Sequence, residues 1–311
     1  VFAKLETLQS PSGAALAWRH WPVDVEEKGV LIVSHGLAEH SARYARFAEF
    51  MAAHGFHVYA HDHRGHGATR AADAPLGRYA QSQGVEKVLG DVRAIRDMAA
   101  HNHPGLPVIL FGHSMGGLIA LNAAEDNPGL YDGLAVWNSN FNPGLAGRAA
   151  QAVLAVEKML KGSDVPSGLL SKLTFGAWGK SIPNRNTEYD WLSHDPAEVA
   201  KYIGDPLCGF DTSVSMWIDL FRLTFSGAQP DRLRRLPQNL PIHLVGGAED
   251  PATNGGREIL WLERRMVAAG LKRVQTTVYP SMRHETLNEI GRDGAMQDFA
   301  GWCLSVIERR T

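Results

Sequence analysis

The sequence is short of several things that would send it elsewhere. Two cysteines, Cys208 and Cys303, stand among 311 residues. That is too few for a disulfide framework or a structural zinc site, and it suits a reducing compartment. There is no excess of one charge. Thirty-one Lys and Arg face 33 Asp and Glu, leaving −2, so there is no electrostatic basis for nucleic-acid binding. No stretch approaches the ~20 uninterrupted apolar residues of a membrane-spanning helix. The opening VFAKLETLQS has no apolar run of secretory-signal length. Together these absences point to a cytoplasmic protein. Repeats and low-complexity runs are also missing, and nothing in the chain signals an oligomeric state.

What is present is an alternation. Val30–Ser34, His57–Ala60, Pro107–Phe111, Leu134–Trp137, Ile242–Val245 and Val274–Tyr279 are short, mostly apolar runs. Helical spacing separates them. Tyr44, Phe47, Phe50 and Met51 recur at three and four residues, Gly84–Ala100 carries a longer stripe, and Gly116–Glu125 is a helix of small residues. Apolar strands divided by helices predict a mostly parallel sheet covered on both faces, hence an α/β fold. The alternation stops between Phe141 and about Ser213. This stretch holds one clear amphipathic pattern (Leu145, Ala149, Ala152, Val153, Val156, Met159, Leu160), and Gly- and Pro-punctuated sequence follows it. Residues 141–213 therefore read as an inserted, mainly helical cap between core segments 1–140 and 214–311.

The strongest chemical signal is Gly112-His113-Ser114-Met115-Gly116. It is a G-x-S-x-G pentapeptide directly after an apolar strand and directly before a helix, the one context in which the motif has a mechanism. The glycines keep Cβ atoms out of a tight bend in which Ser114 takes a strained conformation. The bend lifts the hydroxyl off the sheet edge and puts the Met115 N–H at a helix N-terminus, where it can face developing negative charge. A serine needs a base. His284 follows the last predicted strand. Asp250 follows the preceding one, with Glu249 as the rival acid. Both lie just past the carboxyl ends of parallel strands, where open α/β sheets bind ligands. The order Ser…Asp…His is that of an α/β-hydrolase. A second oxyanion donor belongs in the loop after Val30–Ser34. There Gly36 permits close approach, and the Leu37 N–H is the candidate.

His35-Gly36-Leu37-Ala38-Glu39-His40-Ser41-Ala42-Arg43-Tyr44, Asp62-His63-Arg64-Gly65-His66-Gly67 and Gly112-His113-Ser114-Met115-Gly116-Gly117 together resemble the monoacylglycerol lipase and lysophospholipase branch of the α/β-hydrolases, which also includes serine aminopeptidase-like members. Ala248-Glu249-Asp250-Pro251 and Arg283-His284-Glu285 match as well. The resemblance spans most of the core and is weakest across the cap. It implies a lipid-ester substrate, a mobile and partly apolar lid that touches lipid peripherally, and no metal or organic cofactor. Carried onto this chain, Ser114 is nucleophile, His284 base and Asp250 acid, with Leu37 and Met115 forming the oxyanion hole. One departure is Gly67-Ala68-Thr69, where a serine is common after the small residue.

Other readings use other residues. His61, His63 and His66 resemble a metallo-hydrolase H-x-H-x-D-H motif, although Gly65 stands where that motif has its acid. On the same triad, an aminopeptidase would need a cap acid such as Glu188, Asp190, Asp195 or Glu198 to receive an amino terminus. A carbon–carbon bond hydrolase would share the architecture. A binding protein that kept the fold without the reaction is the remaining class. Trp178, Trp191 and Trp217 read either as an acyl-pocket wall or as packing.

Overall fold

The computed structural model describes residues 2–308. Eight strands form one sheet: β1 (Glu6–Gln9), β2 (Ala15–Trp21), β3 (Gly29–Ser34), β4 (Phe56–His61), β5 (Val108–His113), β6 (Gly133–Trp137), β7 (Ile242–Gly247) and β8 (Val274–Tyr279). Their order is β1-β2-β4-β3-β5-β6-β7-β8. From β4 to β8 every pairing is parallel, while β1 and β2 add an antiparallel edge. All six predicted strands are present, within a residue or two. Of the first two, β1 escaped prediction because it is four residues long and almost wholly exposed, so it shows no apolar period, and β2 because Arg19 and His20 interrupt its apolar run.

The apolar strands have a simple cause. In β3, Val30 and Ile32 enter the core on one face of the sheet, while Leu31 and Val33 enter the core on the other. In β5, Val108 and Leu110 divide from Ile109 and Phe111 in the same way. A strand with two buried faces must be apolar at every position.

The helices are α1 (Ala45–Ala53), α2 (Gly84–Asn102), α3 (Met115–Asp126), α4 (Gly144–Lys161), α5 (Gly168–Leu173), α6 (Phe175–Ser181), α7 (Pro196–Gly204), α8 (Val214–Gly227), α9 (Pro230–Leu233), α10 (Arg257–Ala268) and α11 (Arg292–Glu308). One face is covered by α2, α3, α8 and α10 through Val88, Ile119, Leu223 and Leu262. The other is covered by α1 and α11, where Phe47 and Phe299 pack on Phe111 and Trp137. Burying each such ring stabilises the fold by roughly 2–3 kcal/mol.

Between β6 and β7 the chain runs through α4 to α9. Where the sequence offered one helix before residue 213, four are present. The helices α5 and α6 have six and seven residues and meet at Thr174, too short to show a period. The α4 stripe divides between inside and outside. Ala149 and Val153 face an internal cavity and Leu154 is buried, while Leu145, Val156, Met159 and Leu160 are exposed.

The loop after β4 corrects the metal reading. Among the described residues, His61, His63 and His66 form no group whose ligand atoms lie within 4.8 Å of one another. Instead the loop is a brace. Asp62 accepts Ser41 N–H at 2.9 Å and Ala68 N–H at 2.7 Å, and buried Arg64 donates to Asp91 at 3.1 Å. Thr69 donates to the Asp62 carbonyl and accepts from Ala17 N–H, so threonine serves this turn. Burial pushes the pKa of His61 and of His66 down to about 3, and lowers those of His35 and His63. The folded chain therefore stays neutral at these positions while the unfolded chain protonates them near 6.5. Stability should be full above that value and decline as pH falls toward 3. Urea denaturation at stepped pH measures the slope. His61→Gln should make it shallower by about 1.4 kcal/mol per pH unit, and an unchanged slope contradicts the assignment.

Candidate active site

The carboxyl ends of β3, β5, β6, β7 and β8 lie side by side, with Ser34 in register with Gly112 and His113 with Trp137. Every chemical candidate leaves the sheet along this rim. Ser114 stands between β5 and α3 with φ 56° and ψ −120°, a conformation that costs on the order of 1–3 kcal/mol and has to be held by its surroundings. The hold is visible. Ser114 N–H donates to Trp137 O at 2.8 Å, and Ser139 Oγ donates to Ser114 O at 2.8 Å. A Cβ on Gly112 would strike the Gly116 backbone, and one on Gly116 would strike the carbonyl of Ser34. Both glycines of the motif are thus sterically required.

His284 and Asp250 meet this serine. His284 Nε2 lies 2.9 Å from Ser114 Oγ, and His284 Nδ1 lies 3.0 and 3.1 Å from the two oxygens of Asp250. Asp250 is fully buried and His284 is 3% exposed. Burial alone would raise the Asp250 pKa. His284 and the donors of Asn138 and Thr253 outweigh it and hold the carboxyl below its ordinary value. Asp250 also accepts Ala252 N–H at 2.9 Å, so its four bonding positions are filled and its orientation is set. The rival acid Glu249 points elsewhere, to His194 at 3.1 Å.

Leu37 and Met115 line the same cavity as Ser114 and His284. Met115 is the first residue of α3, so its N–H has no acceptor inside the helix. A Cβ on Gly36 would lie 2.6 Å from Glu39 Oε1 and push that carboxylate off the Gly36 N–H it accepts from.

The cavity holds about 530 Å³. Ser114, His284 and the two candidate donors form one wall, and Asp250 lies buried behind His284. Ala149, Val153, Leu170, Phe175, Trp178 and Phe221 form much of the rest, and Asn138, Asn140 and Asn254 add a polar portion. Trp178 and Trp217 face this space, whereas Trp191 is buried beside the His284 ring at 5.0 Å. Neither aspartate nor glutamate lines it. Of the four cap acids, Glu188 is exposed, Asp190 accepts from Asn186 and Thr187, Asp195 caps α7 and pairs with Arg292, and Glu198 pairs with Arg46 and Lys201.

Asn138 went unnoticed in the sequence. It follows β6 at φ 50° and donates to Asp250 Oδ2 at 3.1 Å and to Arg283 O. An asparagine just past an apolar strand, tolerant of left-handed backbone, was its only signal. The segment before α7 also reaches the base loop, with Trp191 O accepting from His284 N–H and Leu192 O from Glu285 N–H at 2.7 Å.

Comparison with known proteins shows the family and the fold. The family model described as serine aminopeptidase, S33 matches residues 25–291. The monoacylglycerol lipase of Mycolicibacterium smegmatis is 30% identical over 293 residues, 94% of each chain. The human monoglyceride lipase is 32% identical over 203 residues, 63% of this chain and 60% of that one. The solved structure of a thermostable carboxyl esterase from Bacillus coagulans superposes with a TM-score of 0.86 at 25% identity, covering 98% of both chains. The chain belongs to the serine aminopeptidase S33 family, an α/β-hydrolase of its monoacylglycerol lipase-like branch.

Proposed function

We propose that the protein hydrolyses carboxylic esters of lipids through an acyl-enzyme on Ser114, with a monoacylglycerol or lysophospholipid-type ester as substrate. The observation that carries this reading is the unbroken chain Ser114–His284–Asp250 at hydrogen-bond distance, with Ser114 and His284 in the wall of an apolar cavity. Neutral His284 takes the Ser114 proton as the hydroxyl attacks the ester carbonyl. Asp250 fixes the imidazole tautomer and stabilises the imidazolium. The Leu37 and Met115 N–H groups receive the tetrahedral oxyanion, each lowering the barrier by about 3 kcal/mol. His284 then gives its proton to the leaving alcohol, and water repeats the sequence on the acyl-enzyme. These steps are complete without a metal or organic cofactor.

The substrate class follows from the wall. A mostly apolar cavity of about 530 Å³ suits an acyl chain, whose burial contributes roughly 0.8 kcal/mol per methylene. A free amino terminus would need a carboxylate that the lining does not offer, which favours ester over aminopeptidase substrates. Residues 141–213 serve as the lid. The exposed Leu145, Val156, Met159 and Leu160 of α4 give that lid an apolar surface suited to peripheral contact with lipid. Among the described residues, no helix is long and apolar enough to cross a membrane.

Ser114→Ala should abolish turnover of a p-nitrophenyl ester with unchanged circular dichroism, and Asp250→Asn should lower kcat by about 10⁴-fold. Activity near wild type in the Ser114 variant removes the assignment. In a chain-length series, octanoyl esters should be cleaved with higher kcat/KM than acetyl esters. A sharp preference for acetyl contradicts the acyl-cavity reading.

A further inference from the structure

Two buried carboxylates stand beside the triad without belonging to it. Glu39 and Glu285 are 3% and 5% exposed. Glu39 Oε1 accepts Gly36 N–H at 2.5 Å and the Tyr44 hydroxyl at 2.9 Å. Its other oxygen accepts from Arg43 Nη1 at 2.6 Å. The same guanidinium forks onto Glu285, with Nη2 donating to Oε2 at 2.7 Å and Nη1 to Oε1. Gly36 directly precedes Leu37, and Glu285 directly follows His284. One cation therefore ties the neighbour of an oxyanion donor to the neighbour of the base, across 242 positions of chain. His113, the residue before Ser114, joins them. Its Nε2 is 2.9 Å from the His284 carbonyl, and its Nδ1 is 3.6 Å from Glu39 Oε1.

Charge explains why the link must be complete. A carboxylate bonded to the oxyanion loop opposes negative charge developing there unless a cation compensates it. Arg43 does so, and its planar fork constrains direction as well as distance, which a lysine cannot do. Burial works against ionising Glu39, yet Arg43 and His113 hold its carboxyl well below the usual range. Contact with Glu39 in turn lifts His113 above its ordinary value against the effect of burial.

We propose that Arg43 is a positioning residue for acyl transfer: through Glu39 it holds the Gly36–Leu37 peptide, and through Glu285 it holds the loop presenting His284, so that oxyanion donor and base keep their register. The proposal rests on the triad reading above. It makes the guanidinium, which touches no substrate, a determinant of turnover rather than of binding.

The test is steady-state kinetics of Arg43→Lys and Glu285→Gln on a p-nitrophenyl ester, with active sites counted by a fluorophosphonate probe and melting temperature measured in parallel. Arg43→Lys keeps the compensating charge and loses the fork. Its kcat per titrated site should fall about 100-fold, the effect of a displacement near 1 Å, with KM within about twofold. Glu285→Gln keeps an acceptor and loses charge, and should cost about tenfold in kcat. The double variant should lose less than the product of the two, because both act on one link. Wild-type kcat per titrated site, even with a lowered melting temperature, overturns the proposal, as does a change confined to KM or a fully multiplicative double variant. If Arg43→Lys does not fold, Glu285→Gln decides by the same criterion. Wild-type protein that the probe leaves unlabelled at Ser114 removes the triad reading instead, so the two failures are distinct.

Discussion

The hydrogen bond from Ser114 to His284 is the interaction on which the arrangement turns. It joins residues 170 positions apart, and it exists because β5 and β8 end at the same rim of one parallel sheet. A parallel sheet requires a crossover between successive strands, so residues distant in sequence converge at the strand ends. The two apolar cores, one per face, hold that rim rigid. Above it lies the segment between β6 and β7, which supplies much of the cavity wall.

The local backbone at this rim is under strain in several places. Ser114, Asn138 and Ala38 all have φ between 50° and 56°, which non-glycine residues avoid. Each is held by bonds to other elements: Ser114 to Trp137, Asn138 to Val245, and Ala38 by its carbonyl to Gly209 and Tyr202. Strain gathered at one edge and fixed from several directions is a mark of pre-organisation. Under the proposed mechanism the candidate donors and base are placed before substrate arrives, so less reorganisation is left for the reaction.

Much of this was legible in the residues. Fully apolar strands announced a sheet covered on both faces, because burial on two sides removes the polar alternation. Gly112-x-Ser114-x-Gly116 announced the bend, because no other residue fits where the β3 and β5 ends meet α3. His284 and Asp250 were found from their positions after strands. Other features have no local signature. β1 pairs along a nearly solvated strand, and α5 and α6 are shorter than the distance over which helical periodicity shows. The α4 stripe showed an apolar face but not its division, with Ala149 and Val153 toward the cavity and Leu145, Val156, Met159 and Leu160 toward the outside. Asn138, Arg43 and Glu285 take their meaning from partners 100 to 240 residues away, and single-chain patterning does not carry such pairings. His61, His63 and His66 misled in the opposite sense. They are close in sequence and their rings lie near one another, with His61 and His63 centroids 4.6 Å apart, yet their nitrogens do not converge on one point, and the loop is braced through Asp62, Arg64 and Thr69.

The central claim is a covalent intermediate on one alcohol. Mixing the protein with p-nitrophenyl octanoate, quenching in acid within the first turnover and mapping the acylated peptide by mass spectrometry tests it most directly. The account predicts an octanoyl group on Ser114, formed in step with a burst of nitrophenol equal to the enzyme concentration. An acyl group on another residue, or hydrolysis at the wild-type rate with no acylated peptide at any time, would contradict it.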